Sequence, residues 1–152
     1  MKARFLSLGL LITRVAIGFP LAKQHGWGKL QSLLAGSTGF PDPLHIGARA
    51  SLLGTVMGEF VCACLLVAGL GTRVAAGGIV FTMSVVLFVV GKGQPLFKNE
   101  MAYLYAVVPL ALMFTGPGTV SLDALLAPRL RVILAARAPK PLARLFRAAP
   151  RN

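Results

Sequence analysis

Long apolar runs alternate with short polar joints along this chain. Apolar residues dominate from about 5 to 22, 50 to 70, 74 to 91 and 99 to 116. A membrane-spanning helix needs about 20 largely apolar residues, within a range of about 17 to 25. Hydrocarbon offers no water to an exposed backbone, so each run is expected to be helical. The fourth run carries Pro109 and ends in Gly-Pro-Gly at 116–118, where a helix is stopped. The pattern predicts an all-α integral membrane four-helix bundle over residues 1–127, with spans at about 5–22, 50–70, 74–91 and 99–116. A tail follows over 128–152.

Composition supports a bilayer as the solvent. Charged residues are 13% of the chain, against about 25% in soluble domains, and the mean hydropathy is +0.76. The start, Met-Lys-Ala-Arg followed by leucines, resembles a secretory leader. Arg14 interrupts its apolar core and no small-x-small cleavage site follows, so the segment is expected to remain as the first helix.

Four spans put both ends of the chain on one side. Ten basic residues fall on that side: Lys2, Arg4, Arg73 and seven in the tail. Five fall on the other: Lys23, Lys29, Arg49, Lys92 and Lys98. Positive loops stay inside, so the N- and C-termini are expected to be cytoplasmic. The net charge of +12 implies an anionic partner. In the tail, arginines mix with Leu, Ile and Phe at loosely helical spacing, broken by Pro128, Pro139, Pro141 and Pro150. Such a basic amphipathic segment is expected to lie on the anionic inner leaflet, and nucleic acid is not expected as a partner. The joint from Gln31 to Ala48 holds Leu33, Leu34, Phe40, Leu44 and Ile46 among Gly, Pro and Ser. It is expected to form a short helix or re-entrant lid over the outer end.

Two charges lie deep in the spans. An arginine near the bilayer centre costs at least about 2.5 kcal/mol, and is kept where it is paired or faces a cavity. At about 1.5 Å per residue, Arg14 and Glu59 sit roughly 13 and 16 Å from the same membrane face. An Arg14–Glu59 ion pair is therefore expected. It would either lock two helices or form a functional polar site; buried pairs stabilise weakly, which favours the second. The stretch HGWGKL (25–30) closes the first span. Trp27, with Tyr103 further on, suits an interfacial anchor. His25 and Lys29 lie on the outer side, where the joint after the third span brings Lys98 and Glu100. These four can cluster as a cationic mouth that attracts an anion or polarises a carbonyl oxygen. Cys62 and Cys64 are two apart on a helix and point about 200° from each other, so neither a shared metal nor a mutual disulfide is expected. After the Gly-Pro-Gly exit, Ser121 or Thr119 is expected to cap a new helix, with Asp123 at its positive end.

The chain resembles the DoxX family of small bacterial four-helix membrane proteins. The resemblance rests on Arg14, HGWGKL (25–30), GEF (58–60) leading to LLVAGLGTRVAA (65–76), KNEMAYLY (98–105) and GPGTVSLD (116–123), and covers about residues 5 to 126. It implies location in the bacterial inner membrane and association with membrane redox systems. The related DoxD proteins are subunits of a thiosulfate:quinone oxidoreductase. By similarity, Arg14, His25, Lys29, Glu59 and Glu100 fall on the family's polar positions. The expectation is a quinone-interacting or redox-linked subunit, with no covalently bound cofactor and with a redox partner subunit; a homo-oligomer is compatible. The alternatives are a non-enzymatic membrane anchor or assembly subunit for a cytoplasmic partner, and a transporter of a small solute or lipid.

Overall fold

The computed structural model describes residues 2–128; the basic tail and the leaflet contact expected of it lie outside the described residues. Among those described all regular structure is helical, with no strand. Four helices carry the fold: α1 (Arg4–Leu34), α2 (Ala48–Ala68), α3 (Thr72–Val90) and α4 (Glu100–Thr115). The first three are long and apolar enough to cross a membrane. Each packs on the next and α1 also touches α4, so the bundle closes on itself.

The bundle is apolar outside. Phe5, Ile12, Phe19, Val74, Phe81 and Phe88 are all more than half exposed, whereas Arg14, Glu59, Thr72 and Thr82 are buried. In water that arrangement would be unstable; in hydrocarbon the apolar face meets its solvent. Small residues set the helix crossings, as expected where apolar burial does not drive helices together. A Cβ on Gly18 would come within 2.7 Å of Val67, and one on Gly78 within 2.6 Å of Cys62. Around these crossings lie Leu21, Ala63, Leu66, Ala76, Ile79, Met83 and Leu112. Several hydroxyls within the helices bond back one turn, as Thr13 does to the Gly9 carbonyl and Thr82 to that of Gly78, which satisfies them without a partner outside their own helix.

The first helix departs from its expected end. It does not stop at Ala22 but continues to Leu34, so HGWGKL lies within it. Pro20 cannot donate a backbone hydrogen bond, and the helix passes it through a wider π-helical turn, Leu21–Gly26. Residues 35–47 then cross the end of the bundle with no helix of their own. The Asp42 carboxylate organises this lid. It accepts hydrogen bonds from the N–H groups of Ile46 (3.0 Å) and Gly47 (2.7 Å) and from the Ser51 hydroxyl (2.6 Å), which ties the segment to the first turn of α2.

The opposite end, which carries the N-terminus and is here called proximal, is held by a knot of polar groups around Arg14. The guanidinium is fully buried and lies against Gly69, where a Cβ would overlap it. Gly69 also has φ +70°, a left-handed conformation that glycine adopts freely. One Arg14 nitrogen donates to the Val120 carbonyl, while Nε and Nη1 have no hydrogen-bond partner. The nearby Asp123 carboxylate supplies the compensating charge. Ser121 accepts from the Ala124 N–H at 3.1 Å, so it does cap the short helix over 122–128. Asp123 does not serve that helix. It accepts from the N–H groups of Gly71 (2.7 Å) and Thr72 (2.9 Å) and so caps α3, which lies far away in sequence. The free donors at a helix start recruit whichever acceptor tertiary packing supplies.

Burial pushes the Asp123 carboxyl upward, but the Thr72 and Gly71 N–H groups and the Arg14 charge outweigh it and hold the group below the ordinary carboxylate range. Asp42 is likewise lowered, first by the Ser51 hydroxyl. A depressed folded-state pKa contributes stability that is complete above the unfolded value of about 3.9 and is lost as pH falls through the folded value. Thermal stability in detergent is therefore expected to be flat from pH 7 to about pH 5 and to fall below about pH 4. Asp123→Ala should cost roughly 1–2 kcal/mol at neutral pH, the cost of a lost helix cap, and should flatten that acid limb.

Candidate functional site

The distal end of the bundle holds the remaining polar chemistry. Three π-helical turns lie there: Leu21–Gly26 in α1, Met57–Val61 in α2 and Val85–Val90 in α3. A π turn adds a residue to the helical ladder and re-aims the side chains around it, and such turns gather at functional sites. His25 stands in the first turn, Glu59 in the second and Val86 in the third.

Gly26 answers why a glycine sits between His25 and Trp27. A Cβ there would fall 2.6 Å from the Glu59 carbonyl oxygen, so only glycine lets the two π turns cross backbone to backbone. One turn further along α1, the Lys29 ammonium meets the Glu59 carboxylate at 2.5 Å. Glu59 is 3% exposed and Lys29 30%. A buried carboxylate is costly unless paired and hydrogen-bonded, and Lys29 provides both.

The expected Arg14–Glu59 pair is thereby overturned. Side chains on a helix tilt toward its N-terminus. In α1 that end is proximal and in α2 it is distal, so two residues at similar depth on antiparallel helices send their charges apart. Arg14 goes to Val120 and Asp123, and Glu59 goes to Lys29.

Two cavities meet at the Lys29–Glu59 pair. The first, of about 490 Å³, is lined by Leu21, His25, Lys29, Glu59, Met83, Val86, Tyr105 and the stretch 98–102. Four residues predicted to cluster, His25, Lys29, Lys98 and Glu100, do line one cleft, and Glu59 joins them. It is not a cationic mouth, however. Glu59 neutralises Lys29, and Lys98 donates to the Gln94 side chain at 2.8 Å. Two lysines and two glutamates line it, so its formal charge balances. The second cavity, of about 340 Å³, is an apolar groove between the lid and α3. Its walls include Phe40, Leu44, Ile46, Phe81, Val85 and Val90, and it shares Lys29, Glu59 and Val86 with the first.

Tyr105 is the site residue that sequence reasoning passed over. It is buried, lines the cleft, and packs edge-on against His25 with ring centroids 5.7 Å apart. It stands on α4 one turn after Met101, which lines the same cleft. Tyr103 is half-buried and outside the cleft lining. Trp27 is 44% exposed, stacks at a tilt on Phe60 and lies 6.0 Å from the Lys23 ammonium. Cys62 packs against Gly78 and Cys64 is exposed beside Trp27, so the two face different surroundings. Among the described residues no His, Cys, Asp and Glu group could hold a metal.

The ion pair yields a stability prediction. Lys29→Met should cost roughly 3 kcal/mol, because it leaves the Glu59 carboxylate buried and unpaired. Adding Glu59→Gln to that variant should recover about 1 kcal/mol or more, a coupling that a double-mutant cycle of unfolding in detergent measures. Additive effects of the two changes would show that the pair is not energetically coupled.

A family model described as DoxX matches residues 9–92, more than half of the chain. The match covers most of α1, the lid, α2 and α3, including Arg14, His25, Lys29 and Glu59, and ends before Lys98. Comparison with curated proteins and with solved structures gives no match. The helical architecture and the match together establish that this membrane protein belongs to the DoxX family.

Proposed function

We propose that the protein is a quinone-interacting, redox-linked subunit of a membrane oxidoreductase system. The observation that carries this reading is the Lys29–Glu59 pair, buried where a polar cleft and an apolar groove meet. The pair sets an N–H donor beside a carboxylate acceptor with no net charge. That suits a neutral head group able both to accept and to donate hydrogen bonds, as the quinone and quinol forms of one molecule do. A free anion would have to compete with Glu59 for Lys29.

In this reading Lys29 donates to a quinone carbonyl oxygen and favours the negative charge that develops there on reduction. Glu59 accepts from the hydroxyl of the quinol. His25, exposed at the cleft and of the residue type that exchanges protons near neutral pH, connects the site to water. Conversion of quinone to quinol takes two electrons and two protons. The electrons come from a redox partner subunit, and this chain contributes binding, orientation and proton exchange. Counted along the sequence, ten basic residues, seven of them in the tail, fall on the side of the termini and five on the other, which supports placing the termini in the cytoplasm, with the cleft on the outer side of the inner membrane.

Solvent extraction of protein purified in mild detergent should yield close to one quinone per chain. Lys29→Ala should lose most of it, and Glu59→Gln should lower it. Arg14→Ala should reduce the yield of folded protein while leaving quinone per folded chain unchanged, since Arg14 lines neither cavity. Well-folded wild-type protein free of quinone, or equal loading of Lys29→Ala, rules the reading out.

A further inference from the structure

We infer that the groove between the lid and α3 takes the apolar tail of the ligand whose head sits at Lys29–Glu59, and that this ligand enters sideways from the bilayer. The inference rests on the quinone reading above and adds to it a tail site, a path and a requirement for a membrane-resident, tailed ligand.

Three observations point this way. The groove is continuous with the head-group cleft through Lys29, Glu59 and Val86, so one molecule can reach both. Its remaining wall is almost wholly apolar, with only Ser51, Thr55 and Thr82 carrying hydroxyls. Thr55 and Thr82 spend theirs on the carbonyls one turn back, and Ser51 donates its hydroxyl to Asp42. The groove therefore offers contacts to a hydrocarbon chain and few directed hydrogen bonds to a polar solute. Finally, the rim residues Ile46, Phe81 and Val90 are each more than half exposed, and Phe81 and Val90 belong to a helix long and apolar enough to cross a membrane. That rim opens to lipid. The lid forms the opposite wall with Phe40, Pro41, Pro43 and Leu44, held in place by Asp42.

Glycine 54 gives a direct test. It lines the groove, and a Cβ added to it meets nothing within 4 Å. Gly54→Leu therefore projects a side chain into the groove without a backbone clash, and leucine is also the better helix former. Binding of decyl-ubiquinone and of its tail-less ring, dimethoxy-methyl-benzoquinone, would be measured on the purified full chain. Wild type should hold the tailed quinone at least about tenfold more tightly than the ring, given roughly 0.8 kcal/mol per buried methylene. Gly54→Leu should remove most of that advantage and leave ring affinity unchanged. Ala50→Leu, a second groove-filling change, carries the test should Gly54→Leu fail to fold.

Equal wild-type affinity for ring and tailed quinone, or tailed binding unaffected by filling the groove, overturns the tail site while the head-group reading stands. Failure of wild type to bind either quinone removes the head-group reading, and the tail site with it.

Discussion

A carboxylate inside a bilayer must be answered by a cation, and much of the distal architecture follows from how Glu59 is answered. The partner, Lys29, comes from a helix whose apolar run ends well before it. To reach Glu59, α1 must continue past Pro20 and then press against α2 at the level of the carboxylate. The π turn after Pro20 achieves the first. Gly26 achieves the second, by admitting the Glu59 backbone where any side chain would collide. Gly58, next to Glu59, does the same on the other side of α2, where a Cβ would run into Thr82 of α3. Two adjacent close approaches thus fix α2 between its neighbours at the level of the charged pair.

The proximal end meets the same constraint in another way. Arg14 is as buried as Glu59, but its compensation is assembled from parts distant in sequence: a carbonyl at Val120, a carboxylate at Asp123 and the bare backbone at Gly69. Asp123 serves twice, since it also caps α3 through Gly71 and Thr72. The corner after α4 is therefore welded to the α2–α3 turn, and Thr119 adds a hydrogen bond to Ser7 of α1. All the helix ends at this face are tied together through one short stretch, which gives GPGTVSLD a structural meaning.

The number and order of the helices were legible because hydrocarbon imposes a length and a polarity that composition alone reveals. His25, Lys29, Lys98 and Glu100 could be grouped because both of their segments return to one membrane face. Less was legible where local geometry departs from a regular α-helix. The π turns break the periodicity on which any extrapolation from Arg14 to Lys29 depends, and the continuation of α1 to Leu34 has no apolar signature. The mistaken Arg14–Glu59 pairing had a different origin. Rise along the helix axis places Cα atoms, whereas charges sit at the ends of long side chains that lean toward the helix N-terminus. On antiparallel helices that lean separates them, and applying it at the sequence level would have sent each charge to its own end. Asp123 misled because a cap is set by space, and its nearest helix in sequence was not its nearest in the fold.

Both buried charges cost free energy, and their surroundings distinguish what each is for. Around Arg14 the space is closed: backbone fills one side, Asp123 stands nearby, and the residue reaches neither cavity. A guanidinium so enclosed holds elements together and has no room for a ligand. Around Lys29 the space is open on two sides, one polar and one apolar, although the bundle could have closed there with a few larger apolar residues. Replacing a buried ion pair with well-packed apolar groups is often neutral or stabilising, so stability alone gives little reason to keep a charged pair between two cavities. A head group that exchanges hydrogen bonds with both members of the pair does give one. It also accounts for the contrast between the two cavities, since a molecule with a polar ring and a hydrocarbon tail needs one of each, joined at the charges.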